Sequence, residues 1–307
     1  MKTLAVFSGK GGTGKTTLVA CFAHLAGRAV AVDCDVDAAN LGLLLPGDDV
    51  HREPFLAGRK ATINSTSCRA CGACAEACRF DAIAWTGKDW VVDPMACEGC
   101  GVCSLVCPKP AVIRYHDNLA GHWMRRRSGS VSLVHAALGV AQDNSGKLVA
   151  KVRQEASLWA DREGIDLVLV DGPPGIGCPV HAAMGQLDRI LVVTEPTPSG
   201  LHDLERMLRL AQHFGVSASV SINKWDLAPK LTRIIEEACR TWGVPLAGRI
   251  PFDPHVPRLL AAGRLPLEPP VDQDTTAAIE QCWQRFSEGD SAIPNMPAEE
   301  PWTEQPL

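Results

Sequence analysis

The chain has no excess of basic residues: 30 Lys and Arg stand against 35 Asp and Glu, a formal net charge of −5. Nucleic-acid binding demands a basic face, so a nucleic-acid partner is not expected. No apolar run approaches the roughly 20 residues that cross a bilayer, and no membrane association is expected. The nine histidines show no metal-like spacing; His181, His202 and His213 read as surface or packing residues. Met1-Lys2-Thr3 passes straight into the apolar stretch Leu4-Ala5-Val6-Phe7, which leaves no room for a targeting peptide and points to a cytoplasmic location. The only dense basic run is Arg125-Arg126-Arg127, read as a solvated stretch or as a dock for an acidic partner. What is present, 46% hydrophobic residues in 307, suffices for one large core and a small extra lobe.

Ser8-Gly9-Lys10-Gly11-Gly12-Thr13-Gly14-Lys15-Thr16-Thr17 follows the first apolar run and opens a helical stretch, Thr16 to Ala26. That is the strand, loop and helix setting of a phosphate loop. Gly11, Gly12, Thr13 and Gly14 let backbone N–H groups close on phosphate oxygens, and the helix N-terminus adds positive potential. Lys15 is expected on the β/γ-phosphates, Thr16 on magnesium, and Thr17 beside them. A phosphate loop needs only that second lysine, so Lys10 must serve another purpose. Asp35, in the Asp33-Cys34-Asp35 stretch that follows Ala29-Val30-Ala31-Val32, and Asp171, after Leu167-Val168-Leu169-Val170, are carboxylates at strand ends. Each is either a turn residue or, in the order of a doubly wound fold, a neighbour of the phosphate site.

Eight of the thirteen cysteines fall in one segment. Cys68, Cys71, Cys74 and Cys78 have the spacing C-x2-C-x2-C-x3-C, and Cys97, Cys100, Cys103 and Cys107 repeat it, followed by Pro108. The doubled run resembles the bacterial two-cluster ferredoxin motif, in which three close cysteines and the fourth of the other run hold each 4Fe-4S cube. The resemblance assigns Cys68, Cys71, Cys74 and Cys107 to one cluster and Cys78, Cys97, Cys100 and Cys103 to the other. Arg79 stands where a proline usually follows the first run. Zinc is the rival metal, since CxxC pairs also build tetrahedral zinc sites, and a disulfide framework is the weakest reading. Of the remaining cysteines, Cys21, Cys34, Cys239 and Cys282 read as small buried residues. Cys178 lies seven residues after Asp171, an offset similar to that of a cluster ligand in the nitrogenase iron protein, with no second ligand apparent.

The extra lysine makes the loop resemble the deviant Walker A of the ATPase family that includes MinD, ParA, the Mrp-type iron–sulfur carriers and the nitrogenase iron protein. The resemblance covers about residues 1 to 286. It implies that Lys10 reaches a partner's nucleotide across a dimer and that Asp35, in Asp33-Cys34-Asp35, orients the attacking water. It also implies that Asp171 and Asp33 serve magnesium and that Asn223, in Asn223-Lys224-Trp225-Asp226, reads adenine. Because that tetrad also resembles the base-reading Asn-Lys-x-Asp of GTPases, GTP is the runner-up to ATP. Thr194 to Asp203 and Ile250-Pro251-Phe252-Asp253 look like the same group. Members carrying a ferredoxin insert are associated with the orange-protein complex of anaerobes, whose small partner holds a molybdenum–copper sulfide cluster.

Strands alternating with helices predict an α/β fold, a doubly wound and mostly parallel sheet. We expect an ATPase domain over residues 1–50 and 128–286, an inserted two-cluster ferredoxin-like domain over 51–127, and a disordered acidic tail over 287–307. Within the second ATPase segment a helix is expected near Val134 to Val140, a strand near Leu148 to Val152, and a helix from there to Glu163. The expected cofactors are ATP, Mg2+ and two 4Fe-4S clusters. The expected partners are a second copy or a related ATPase, and a metallocluster-binding or redox protein. Three functions compete: an ATP-dependent factor for metallocluster assembly, placed first; an ATP-gated electron donor; and a positioning ATPase.

Overall fold

The computed structural model describes residues 1–139 and 145–297. In chain order they form β1 (Lys2–Phe7), α1 (Lys15–Ala26), β2 (Ala29–Asp33), α2 (Leu41–Leu44), β3 (Asp48–Ile63), α3 (Ala73–Glu76), β4 (Ile83–Trp85), β5 (Trp90–Val92), α4 (Val102–Val106), β6 (Ile113–Ser128) and β7 (Val131–Leu138). There follow α5 (Ser145–Glu163), β8 (Leu167–Asp171), α6 (Cys178–Met184), β9 (Arg189–Thr194), α7 (Pro198–Phe214), β10 (Ser217–Asn223), α8 (Pro229–Thr241), β11 (Leu246–Ile250), α9 (Val256–Ala261) and α10 (Gln273–Glu288). No helix among the described residues is long and apolar enough to cross a membrane.

The main sheet has the order β11-β10-β9-β1-β8-β2-β7-β6-β3. From β11 through β7 each adjacent pair is parallel. Parallel strands are covered on both faces and therefore read as continuous apolar runs rather than alternating ones; Leu4 to Phe7 and Ala29 to Val32 are all fully buried. After β1 the chain builds outward through β2, and after β8 it crosses to the other side of β1 with β9. That reversal places a switch point at the carboxyl end of β1, where open α/β sheets bind ligands. Helix α10 packs back on α1, with Phe22 5.2 Å from the ring of Trp283 and 6.0 Å from that of Phe286.

Two compact units are present: Met1–Arg52, Met124–Ala136 and Ser145–Leu307 form one, and Glu53–Trp123 with Ala137–Asn144 the other. Among the described residues of the second unit, Ala61, Ala82, Cys97 and Ile113 form a small buried cluster, with Cys78, Cys103, Cys107 and Tyr115 packed against it; Val112, Ala120 and Trp123 are buried too. A core of that size does not usually hold a lobe together unaided.

Three local expectations are overturned. The stretch expected as a helix from Val134 is the strand β7, entered from β6 through Gly129-Ser130; Val140 lies outside the described residues. Six consecutive buried residues from Val131 to Ala136 leave no polar face for a helix to show to water. The expected strand Leu148 to Val152 is part of α5. Its buried positions Leu148, Val149, Val152, Ala156, Trp159 and Ala160 follow the helical period, and the short apolar window had hidden that longer pattern. The tail expected to be disordered is ordered as far as Pro297. Ala292 pairs with Ala218, Asn295 donates to the carbonyl of Trp242 at 2.9 Å, and Arg209 reaches the carbonyl of Pro297 at 2.6 Å. Residues 298–307 lie outside the described residues.

Nor are the three arginines of the basic run a free patch. Arg126 pairs with Asp49 at 2.8 Å, Arg127 pairs with Glu163, and Arg125 and Arg127 lie over the Trp159 ring.

Candidate functional site

At the carboxyl end of β1 the loop turns through Gly12 and Gly14, both in left-handed backbone at φ 81° and 92°, which L side chains rarely adopt. Gly14 has a second constraint. A β-carbon there would lie 2.5 Å from Nδ2 of Asn223. That amide donates to the carbonyl of Thr13 at 2.8 Å, and its oxygen accepts from the N–H of Lys224 at 3.0 Å. Asn223, from the end of β10, thus braces the loop and keeps one N–H and one lone pair for a ligand.

A cavity of about 440 Å³ opens here, lined among others by Gly11 to Thr17, Asp35 and Asn223. Phe252, Val256, Leu260 and Ile279 add apolar lining, beside the polar Asp253 and Thr275. Ile250 to Asp253 were singled out in the sequence, whereas Val256, Leu260 and Ile279 come from α9 and α10 and have no local signature. Lys10, Asp33 and Asp171 are not in the lining.

Asp33 and Asp171 are register partners at the ends of adjacent strands β2 and β8, and both are fully buried. Asp33 accepts from the N–H groups of Asp35, Asn40 and Leu41 at 3.0, 3.0 and 2.9 Å. Asp171 Oδ1 is 2.6 Å from Nζ of the buried Lys15, while its Oδ2 has no hydrogen-bond partner. Burial, then repulsion from Asp171, pushes the Asp33 carboxyl up to about 7. Burial also raises that of Asp171, against the pull of Lys15. One ammonium between two buried carboxylates is too little positive charge, and the unbonded Asp171 oxygen could accept from a metal-bound water. The donor set of Thr16, Asp33 and Asp171 fits magnesium, a hard cation that takes oxygen ligands and keeps several waters.

Lys10 turns away from this point. Its Nζ lies 3.4 Å from Oε2 of Glu195 and 3.4 Å from Oγ1 of Thr197, at the link from β9 to α7. The other oxygen of Glu195 holds Lys224 at 2.6 Å. Asp35 is half-buried, its carboxylate accepting from the N–H of Ala38 at 3.3 Å.

In the second unit the cysteines group by cavity. Cys68, Cys71, Cys74 and Cys107 line one, with Trp90; Cys78, Cys97, Cys100 and Cys103 line another, with Tyr115. The two runs also share a backbone. Ala70 and Gly72 have φ 52° and 78°, and the equivalent Gly99 and Gly101 have 60° and 90°. Ala70 and Gly99 each donate their N–H to the sulfur two residues back, Cys68 and Cys97, at 3.4 Å. The indole Nε1 of Trp90 is buried with no hydrogen-bond partner, in a wall where sulfur acceptors would satisfy it. These features fit sulfur clusters. Among the described residues no three His, Cys, Asp or Glu side chains converge as a single metal ion requires, and all thirteen cysteines are free thiols. Cys21, Cys34, Cys239 and Cys282 are buried, as expected; Cys178 is exposed at the start of α6.

Comparison with known proteins agrees with the phosphate-loop geometry. An uncharacterised protein of Methanocaldococcus jannaschii, MJ0578, is 31% identical over 268 residues, covering 84% of this chain and 87% of its own. An uncharacterised ATP-binding protein of the same organism, MJ0547, is 27% identical, covering 85% and 78%. The septum site-determining protein MinD of Pyrococcus horikoshii, solved with Mg-ADP, superposes with a TM-score of 0.57 at 20% identity, covering 94% of this chain and 96% of its own; at that identity the likeness is one of fold. The family model of the CobQ/CobB/MinD/ParA nucleotide-binding domain matches residues 4–267, and the chain belongs to that family of P-loop ATPases.

Proposed function

We propose that the chain is an ATP-hydrolysing iron–sulfur protein that serves the assembly or maturation of a metallocluster on a partner protein. Lys15 binds the β/γ-phosphates, Thr16, Asp33 and Asp171 hold magnesium, Asp35 orients the attacking water, and Asn223 reads the base. Magnesium, when bound, neutralises charge that develops on the phosphates. Lys10 completes the site across a dimer. ATP is preferred to GTP, as the resemblance of Asn223 to the adenine-reading asparagine of the MinD-like group implies. Residues 51–127 hold two 4Fe-4S clusters on the quartets Cys68, Cys71, Cys74, Cys107 and Cys78, Cys97, Cys100, Cys103.

One observation supports the iron–sulfur reading above the others: each cavity collects three cysteines of one run and the last cysteine of the other. The same sharing favours a second reading, ATP-gated electron donation. A cube tied to both runs cannot leave without opening the whole lobe, so charge moves more easily than metal. MinD and ParA neighbours make a positioning ATPase the third reading, which gives the eight cysteines nothing to do.

The test begins with iron, sulfide and zinc assays on anaerobically isolated protein. About eight irons per chain are expected for two cubes; stoichiometric zinc, or no metal, removes both iron–sulfur readings and leaves the third. The complex with the native partner is then given ATP. Metal appearing on the partner supports assembly, and reduction of the partner without metal movement supports electron donation.

A further inference from the structure

The two cysteine quartets have unequal electrostatic surroundings. Lys60 is only 8% exposed, and its Nζ donates to the carbonyl of Cys97 at 2.6 Å. Among the described residues it has no ion pair. A buried ammonium bonded only to a carbonyl is costly unless negative charge lies close by. The same quartet has the Tyr115 hydroxyl 3.5 Å from Sγ of Cys103, and the Arg59 guanidinium covers the Tyr115 ring at 4.3 Å. The other quartet has neutral donors, the unpartnered Trp90 indole N–H and the N–H of Ala70. Its nearby cations, Arg69 and Lys109, are exposed, where water and salt screen them.

We propose that Lys60 is the counter-charge of the cube held by Cys78, Cys97, Cys100 and Cys103, and that Lys60 and Tyr115 set its reduction potential above that of the cube on Cys68, Cys71, Cys74 and Cys107. This rests on the iron–sulfur reading above. Reduction takes one electron from a low-potential one-electron donor, makes and breaks no bond, and adds one negative charge to the thiolate-bound cube. A fixed positive charge and hydrogen bonds to sulfur both favour that more negative form and so raise the potential. In a low-dielectric interior a full charge acts more strongly than a neutral N–H. An electron entering the lobe therefore rests on the Lys60 side, giving the pair of cubes a direction.

The experiment uses the full chain, with iron counted before any variant is read; a wild-type protein without iron fails the underlying reading. In iron-loaded protein a dithionite titration followed by low-temperature EPR is expected to give two separate reductions. Lys60→Met should lower only the upper potential, Tyr115→Phe should lower the same one by less, and Trp90→Phe should lower only the other. Lys60→Met protein with full iron and unmoved potentials overturns the proposal, as does a shift in the lower wave instead. If Lys60→Met loses one cube, Lys60→Arg decides. Retention of both cubes by the arginine variant supports the counter-charge, and loss in both variants overturns it.

Discussion

One ammonium, that of Lys15, faces two fully buried carboxylates; burial first, and repulsion from Asp171 second, hold the Asp33 carboxyl raised. In the proposed function the same lysine leaves Asp171 to reach a phosphate, so nucleotide and magnesium would have to arrive together if neither carboxylate is to be left uncompensated. The two lysines of the loop then separate by experiment. Lys15→Ala is expected to abolish nucleotide binding in titration calorimetry. Lys10→Ala, whose side chain rests on Glu195, should bind ATP as the native protein does and lose turnover by roughly 10³ to 10⁵, the range for a charge supplied in trans to phosphoryl transfer. Equal loss of binding in both variants would assign Lys10 to its own loop.

The element that holds Lys10 is built with little slack. Thr197 caps α7, its hydroxyl accepting from the N–H of Gly200 at 2.9 Å, and the Thr194 hydroxyl donates to the carbonyl of Gly200 at 2.9 Å. A β-carbon on Gly200 would lie 2.3 Å from the carbonyl of Glu195 and 3.0 Å from both threonine hydroxyls. Gly200→Ala should therefore cost about 1 to 3 kcal/mol, the usual cost of overpacking, read from the urea midpoint. An unchanged midpoint would mean that the loop yields freely. The helix itself was visible in the sequence, as were β1, β2, β8 and α1, because long or wholly apolar runs leave one choice. Helix α5 was legible only in its second half, up to Glu163: the register of its first turns depends on which face meets β2 and α6, and the segment before it lies outside the described residues.

For the molecule as a unit, the proposed function makes hydrolysis depend on a second copy or a relative to supply Lys10. Asp35→Ala should retain ATP and sediment as a dimer with ATP and magnesium, while native protein with ADP should sediment as a monomer. A monomeric Asp35→Ala protein with ATP would contradict a homodimer. The thin core of the second unit carries a separate expectation, since metal binding in small lobes is folding energy. Iron removal by a chelator should lower the melting of Glu53–Trp123 alone, leaving the nucleotide unit's transition in place by calorimetry; one joint shift would show that the two units melt as one.

The phosphate loop of this protein was legible from the sequence alone, because its signal is carried by neighbours in the chain: the spacing of Gly11, Gly14 and Lys15 sets a strand, loop and helix that open on phosphate. The grouping of the cysteines was not; it came from the resemblance to ferredoxins, since Cys107 lines a cavity with Cys68, Cys71 and Cys74 that spacing alone does not join to it. Nothing local could show that Asn223 would brace Thr13, that Lys10 would lie on Glu195, or that Lys60 would be buried beside Cys97. Those pairs are separated by 210, 185 and 37 residues. They meet only because parallel strands bring distant chain ends to one edge of the sheet and because a lobe with few apolar residues must bury what it has.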